Sequence, residues 1–347
     1  MIVFYISGHG FGHASRCTEL ISKLTTRRPD LQIVVRTAAP PWFLDDIRSP
    51  RVEVQPMDTD TGVAQIDSLR LDEEETARRA AVFYGDFDRL AEAQARDLRQ
   101  LGASLVIADI PPLAIAAAHK AGIPSIALGN FTWDWIYAYY PRFERLAPGV
   151  IGTIARAYAT ARLALRLPVH GGFDSMAATT VDIPFIARRS VRQPAETRRL
   201  LGVDGRGPIV LASFGGHGLD IPYDRIARTG LTVLAPQRPP AGLNYEDLVA
   251  AADVVVSKPG YGIVSECAAN GIALLYTSRG PFAEYDVMLA EMPRILRCRY
   301  LAQEEMVAGR WRDAIEALLD QPPPAERPRV DGASVAADMI LDMLPAR

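Results

Sequence analysis

A strand, a glycine loop and a helix follow one another between residues 253 and 275, and this stretch offers the best anion site of the sequence. Residues 254 to 256 are three consecutive valines, which is typical of a strand buried on both faces. Gly260 and Gly262 allow a tight turn or a close approach of the backbone to a ligand. Residues 263 to 270 are predicted to form a helix whose free N–H groups and positive dipole end face the loop. The stretch therefore predicts a phosphate site.

The residues in and after this loop suit a nucleotide. Glu266 lies about one turn into the predicted helix, where its carboxylate could accept hydrogen bonds from a ribose diol. Lys258 could add a cation near the phosphates or could equally be a solvated lysine. A second interpretation stays open, because any β–α–β crossover needs glycines in its loop and tolerates a glutamate. In the first interpretation the diphosphate would bind the backbone of four residues: Gly260, Tyr261, Gly262 and Ile263.

Two further glycine loops follow predicted strands. The first comes after residues 2 to 6 and contains His13, and a strand over residues 105 to 109 ends in Asp109. Because the carboxyl ends of parallel strands border the ligand crevice of an α/β sheet, His13 and Asp109 are candidates for that crevice. The other loop lies in the second half of the chain and offers three residues near the predicted cleft: Gly215, Gly216 and His217.

The order of predicted elements indicates an α/β fold with two Rossmann-like domains facing a cleft. Strands alternate with helices from the N-terminus, as in a parallel sheet wound outward from its first strand. The first half is predicted to contain one long helix over residues 73 to 101 and to close its sheet with residues 163 to 167. The alternation restarts after a basic polar linker at residues 188 to 194. We expect domains at 1–187 and 188–330, followed by a C-terminal helix at 331–347.

Composition narrows the classes of partner. The 347 residues suit two domains, each with its own core. With 38 Lys and Arg against 41 Asp and Glu, the formal charge of -3 gives no electrostatic argument for nucleic acid or an anionic membrane. Small-molecule substrates are expected, no transmembrane segment or signal peptide is predicted, and the oligomeric state is not indicated. Three cysteines are widely separated and odd in number, so no disulfide framework is predicted: Cys17, Cys267 and Cys298. A reducing compartment fits best, and a cytoplasmic location is therefore predicted.

Several motifs carry a resemblance to GT-B glycosyltransferases. The segment 257–266, SKPGYGIVSE, resembles the nucleotide-binding loop of the bacterial N-acetylglucosaminyltransferase that makes lipid II. Gly12 and His13 resemble the N-terminal loop of that superfamily. Residues 8–16 (GHGFGHASR), 130–137 (NFTWDWIY) and 182–189 (DIPFIARR) are similar to the glycosyltransferase-like N-terminal region of plant L-arabinokinases. In those plant proteins a sugar kinase domain follows this region. This sequence ends before such a domain, so kinase activity is not expected.

The resemblance implies roles for the candidate residues. In related inverting enzymes the histidine of the N-terminal loop takes the proton from the acceptor hydroxyl, and His13 suits this role because histidine has an ordinary pKa of ~6.5. Asp109 would then orient the ring, although both residues could instead cap helices or bond to loop backbone. Glu284 and Tyr285 resemble positions that contact the donor sugar. Because no Asp-x-Asp motif stands where a GT-A enzyme would need one, no metal and no cofactor beyond the donor are expected.

Three functions stay open at this point. The first is an inverting, metal-independent transferase that uses a nucleotide-diphosphate sugar, expected to be uridine-linked, and an acceptor hydroxyl. The second is a nucleotide-sugar epimerase or hydrolase of the same fold. The third is a non-catalytic module that binds a sugar or a nucleotide.

Overall fold

The computed structural model describes residues 1–203, 207–215 and 219–344. In these residues the chain forms two parallel sheets, of seven and five strands. The first sheet has the order β3-β2-β1-β4-β5-β6-β7 and contains β1 (Ile2–Ile6), β2 (Ile33–Thr37), β3 (Val52–Pro56), β4 (Leu105–Asp109), β5 (Ser125–Gly129), β6 (Leu163–Arg166) and β7 (Thr180–Asp182). The second has the order β12-β11-β10-β8-β9 and contains β8 (Ile209–Ser213), β9 (Thr232–Leu234), β10 (Val254–Ser257), β11 (Ala273–Tyr276) and β12 (Cys298–Tyr300).

Helices connect the strands of both sheets. Short 3-10 helices cover Pro41–Ile47 and Asp174–Thr179. The α-helices are α1 (Phe11–Arg27), α2 (Glu73–Gly85), α3 (Phe87–Gln100), α4 (Pro112–Ala121), α5 (Trp133–Ala138), α6 (Phe143–Leu146), α7 (Val150–Tyr158), α8 (Pro194–Leu200), α9 (Tyr223–Ala227), α10 (Tyr245–Ala251), α11 (Tyr261–Asn270), α12 (Ala283–Ile295), α13 (Gln303–Val307), α14 (Arg312–Leu319) and α15 (Gly332–Asp342). We refer to β1 through β7 with α1 through α7 as the N-terminal unit, and to β8 through β12 with α8 through α14 as the C-terminal unit.

The strand order places two crevices where the sequence predicts them. In the N-terminal unit the order reverses between β1 and β4, which pair from Ile2 with Leu105 to Ile6 with Asp109. In the C-terminal unit the corresponding neighbours are β8 and β10, paired from Val210 with Val254 onward. All residues of β1, β4 and β10 are buried, as the apolar runs predict for strands covered on both faces. A ligand crevice opens at the carboxyl ends of such neighbouring strands. The predicted α/β fold with two parallel sheets is therefore confirmed.

Three local expectations differ from the structure. The single helix expected over residues 73 to 101 is two helices, because Asp86 leaves helical geometry and ends α2 while it begins α3. The first sheet does not close with β6, since the short strand β7 pairs beyond it. The helix expected from residue 263 begins at Tyr261, so Gly262 lies inside its first turn.

The last helix returns to the N-terminal unit. Helix α15 packs against α1, and Arg27 of α1 donates a hydrogen bond of 2.7 Å from Nη1 to the carbonyl of Ser334. Just before α15, Asp331 forms an antiparallel bridge with Ile186. A Cβ atom on Gly332 would lie 2.1 Å from the carbonyl oxygen of Pro184, so only glycine fits there. Among the described residues, no helix is long and apolar enough to cross a membrane.

We expect Gly332→Ala to lower the free energy of unfolding by about 1–3 kcal/mol, the usual effect of forcing an atom into a packed position. Urea denaturation followed by circular dichroism measures the change. Gly85→Ala is the matched control, because a Cβ atom on Gly85 meets nothing within 4 Å. Since alanine favours helix over glycine, the control should be as stable as the wild type or more stable. Equal stability of the two variants would contradict the close packing of Gly332 on Pro184.

Candidate functional site

The first turns of two helices meet between the units. Gly10 precedes α1 and Gly260 precedes α11, so no side chain caps either helix. A Cβ atom on Gly262 would lie 3.1 Å from Cα of Gly12, and one on Gly12 would lie 3.4 Å from the nitrogen of Gly262. The two backbones are therefore in contact, and both positive helix ends point into one region. Such a region favours negative groups.

His13 and Asp109 are brought together, as the sequence predicts. Nδ1 of His13 lies 2.8 Å from Oδ1 of Asp109, and the two side chains are buried at 5% and 0% exposure. Arg16 also binds this carboxylate, with Nε 2.6 Å from Oδ2 and Nη2 2.5 Å from Oδ1. Burial acts to raise the pKa of Asp109, but the charge and hydrogen bonds of Arg16, followed by those of His13, outweigh it and hold the pKa well below its ordinary value.

The ionised Asp109 fixes the tautomer of His13. An ionised carboxylate can only accept hydrogen bonds, so its bond to His13 places the hydrogen on Nδ1. Nε2 then carries the lone pair and is the basic atom of the ring. The ring packs edge-on against Phe131, with centroids 5.5 Å apart. Asp109 therefore orients the ring. Nη2 of Arg16 also lies 2.9 Å from Nδ1, but it can only donate, so in this tautomer its hydrogen bond goes to Oδ1 of Asp109 at 2.5 Å.

Arg16 and Asn130 extend this arrangement to the C-terminal unit. Nη1 of Arg16 donates to Oδ1 of Asn130 at 2.8 Å, and Nδ2 of Asn130 donates to Oε1 of Glu284 at 2.8 Å. The guanidinium of Arg16 also lies over the ring of Tyr261, 5.1 Å from its centroid. Sequence reasoning did not select Arg16 as a site residue, although its position three residues after His13 puts both on one face of α1.

Glu266 reaches the cleft but is already engaged. The first turns of α11 carry it toward α1, where Oγ of Ser15 donates to its Oε1 at 2.7 Å. Nε and Nη2 of Arg188 both lie 2.8 Å from the same oxygen. Glu266 is 2% exposed. The structure therefore places this carboxylate where the sequence predicts it, with protein donors in the position expected for a ribose diol.

Two cations lie near the start of α11. Burial, followed by the charge of Arg279, lowers the pKa of Lys258 to about 7. Nη1 of Arg279 donates to the carbonyl of Pro259 at 3.3 Å and to Oε2 of Glu284 at 3.1 Å. Its Nε is buried and has no hydrogen-bond partner among the described residues. A negative group beside these cations would favour the charged form of Lys258. The sequence analysis missed Arg279, because its loop carries no motif of its own.

The remaining predicted donor residues divide into three groups. Glu284 is buried between Asn130 and Arg279, as described above. Tyr285 instead packs beside the apolar cluster of the N-terminal unit, and burial raises its pKa to about 12. Gly215 is exposed and follows β8 in a left-handed conformation, with φ of 77°. Gly216 and His217 lie outside the described residues.

A further carboxylate, Asp60, lies beyond β3 and reaches Ser7 at the end of β1. Its Oδ1 accepts from Oγ of Ser7 at 3.1 Å and its Oδ2 accepts from Nε1 of Trp133 at 2.9 Å. Burial raises the pKa of Asp60 to about 6, whereas the charge of His13 acts to lower it. His9 packs edge-on against Trp133 and is stacked with Phe282. Sequence reasoning did not select Asp60 as a site residue.

We find no candidate metal site in the part of the chain that the structure describes. There, no group of three or more His, Cys, Asp or Glu side chains could hold a metal ion.

Comparison with solved structures defines the fold. No protein-family model matches the chain. The calicheamicin glycosyltransferase CalG4 matches with a TM-score of 0.60 at 16% identity, over 99% of this chain and 98% of that chain. MurG of Acinetobacter baumannii matches with a TM-score of 0.57 at 14% identity, over 98% and 99% of the two chains. The chain therefore has the GT-B fold, as its motifs predict.

One known protein is also related to the chain in sequence. L-arabinokinase of Arabidopsis thaliana is 28% identical, and the match covers 98% of this chain. The chain spans 34% of the length of that relative. The relationship to L-arabinokinase that the motifs predict is therefore confirmed.

The raised pKa of Asp60 should make the stability of the protein depend on pH. Its folded-state pKa of about 6 lies above the ordinary 3.8, so ionisation is costly in the folded protein. The stability that the protonated form contributes is present below about pH 4 and is lost as the pH rises through about 6. Asp60→Asn cannot ionise. The free energy of unfolding of this variant, taken relative to that of the wild type, should therefore increase by on the order of 2 kcal/mol from pH 4 to pH 7.

Urea denaturation across that pH range measures the difference, and effects of the other titrating groups cancel in the subtraction. Asp58→Asn is the control, because Asp58 is exposed two residues away. A difference for Asp60→Asn that is as flat with pH as the control would show that Asp60 is not held in an environment that disfavours its charge.

Proposed function

We propose that the protein is a glycosyltransferase that moves a sugar from a nucleotide-diphosphate sugar to an acceptor hydroxyl, with inversion and without a metal. The observation that carries the proposal is the pair His13 and Asp109, 2.8 Å apart between Nδ1 and Oδ1, on the unit that faces the glycine loop before α11. The GT-B fold and the relationship to L-arabinokinase support it. The expectation of a uridine nucleotide rests on the resemblance of the 257–266 motif.

The donor would bind on the C-terminal unit. The free N–H groups at the start of α11 suit the diphosphate, and Lys258 and Arg279 supply positive charge beside them. Glu266 would accept from the ribose and Glu284 from the sugar hydroxyls. Gly215, together with Gly216 and His217, belongs to the loop expected to border the phosphates. Tyr285 is the weakest donor candidate, since it packs beside the apolar cluster.

His13 would act as the general base. Nε2 takes the proton of the acceptor hydroxyl while the acceptor oxygen bonds to the anomeric carbon from the side opposite the leaving group. The bond from that carbon to the diphosphate oxygen breaks, and its electron pair leaves with the nucleotide. The helix end and the nearby cations stabilise the negative charge that develops there. Asp109 holds the imidazole in the productive tautomer throughout.

A cytoplasmic location is part of the proposal. Its support comes from three cysteines with free thiols: Cys17, Cys267 and Cys298. Free thiols suit a reducing compartment.

Donor binding can be measured before any acceptor is known. A ligand that binds only the folded protein raises its stability by about 2.7 kcal/mol at a hundred times its Kd. We expect uridine diphosphate to raise the melting temperature in a thermal-shift panel of nucleoside diphosphates and nucleotide sugars, and uridine alone to have a smaller effect, because the diphosphate makes the contacts at α11. A panel without any shift would contradict the donor site.

The chemical step depends on His13. His13→Ala should reduce turnover about 10²–10⁴-fold while donor affinity is kept, because proton transfer occurs in the transition state and not in donor binding. Asp109→Asn should act in the same direction, and the double variant should be little worse than His13→Ala. Mass spectrometry of new glycosides, from a nucleotide-sugar panel and a cell extract as acceptor source, measures turnover.

His119→Ala is the matched control, since His119 is exposed on α4. Circular dichroism checks that each variant is folded. Full turnover by folded His13→Ala would remove His13 from the chemistry. Binding of the donor by the wild type without any glycoside or altered free sugar would favour the non-catalytic module instead.

A further inference from the structure

The carboxylate expected to bind the ribose is held by both sides of the cleft. Ser15 on α1 belongs to the N-terminal unit, whereas Glu266 on α11 belongs to the C-terminal unit, and Oγ and Oε1 lie 2.7 Å apart. Arg188, in the segment between the units, contributes Nε and Nη2 to the same oxygen, each at 2.8 Å. Glu266 thus bonds to groups that would separate from it if the cleft opened.

Arg188 is fixed in this position and is not a loosely held surface side chain. Its guanidinium lies 5.4 Å from the ring centroid of Phe43 in the N-terminal unit and 5.5 Å from that of Tyr245 in the C-terminal unit. Its Nη1 also lies 3.6 Å from Oε2 of Glu246. Two carboxylates and two rings therefore hold the cation across the cleft. Its hydrogen bond to Glu266 is charge-assisted and stronger than a neutral one, whereas the contact with Glu246 is an ion pair without a hydrogen bond.

The second carboxylate on the donor side repeats the pattern. Glu284 accepts from Asn130 of the N-terminal unit at 2.8 Å and from Arg279 of its own unit at 3.1 Å. The backbones of Gly12 and Gly262 are also in contact. A diphosphate at the start of α11 cannot enter between two touching backbones. The arrangement is a closed cleft whose two donor-side carboxylates are paired with the protein itself.

We propose that Ser15 and Arg188 form a latch on Glu266, and that a nucleoside diphosphate must displace this latch to bind. The hydroxyl of Ser15 donates to Oε1 as a ribose hydroxyl would. A molecule in which the latch is formed has a closed cleft, so the latch reduces the apparent affinity for the nucleotide by the fraction of molecules that are closed. This inference rests on the donor site proposed above.

The test compares Ser15→Ala with Ser22→Ala. Both changes replace a serine of α1 with alanine, but Ser22 is exposed and lies away from Glu266. We expect Ser15→Ala to bind uridine diphosphate about tenfold more tightly by calorimetry, since one charge-assisted hydrogen bond is removed from the closed state. Amide hydrogen exchange over residues 261–266, without ligand, should be faster by a similar factor. Ser22→Ala should match the wild type in both measurements.

A second variant, Arg188→Gln, should shift both measurements in the same direction as Ser15→Ala. Weaker binding of uridine diphosphate by Ser15→Ala would overturn the latch, because Ser15 would then belong to the donor site. Unchanged affinity and unchanged exchange would overturn it as well. If no variant binds the nucleotide but exchange is faster in Ser15→Ala, Ser15 does hold α11, whereas the donor site fails and displacement of the latch by a nucleotide fails with it. If neither binding nor faster exchange is observed, both proposals fail.

Discussion

The backbone contact between Gly12 and Gly262 is the constraint on which the rest of the structure depends. It brings together the positive ends of α1 and α11, which repel each other. The contact is tolerable because carboxylates bind residues in the first turns of α1. Asp109 accepts from His13 and Arg16, and Glu266 accepts from Ser15. The carboxylates from which the site is built thus offset part of this repulsion.

The buried ion pair of Arg16 with Asp109 is better explained by orientation than by stability. Removing two charges from water is costly, and apolar residues of similar volume often do as well or better. The pair instead fixes where the hydrogen of His13 lies, since an ionised Asp109 must accept from Nδ1. A neutral Asp109 could donate and would allow the other tautomer. Arg16 therefore positions His13 through Asp109.

The sequence predicts those features that depend on local pattern. Buried strands, the glycine loops and the approach of His13 to Asp109 follow from apolar runs and from the rule that crevices form at strand ends. Partners distant in sequence are not predictable in this way. Ser15 and Glu266 are separated by 251 positions, and only the packing of two units brings them together. The short edge strand β7 was missed because it is mostly exposed and lacks an apolar run.

The engagement of Glu266 has a thermodynamic consequence for the donor. If a ribose hydroxyl replaces the hydroxyl of Ser15 on Oε1, one hydrogen bond is exchanged for another and little free energy is gained. The favourable contribution to the binding free energy must then come from an interaction that the closed state lacks. The first turn of α11, Lys258 and the unpaired Nε of Arg279 all attract negative charge. If the proposed donor site is correct, the diphosphate, and not the ribose, would supply the free energy that opens the cleft, and Glu266 would select among the ligands that carry a diphosphate.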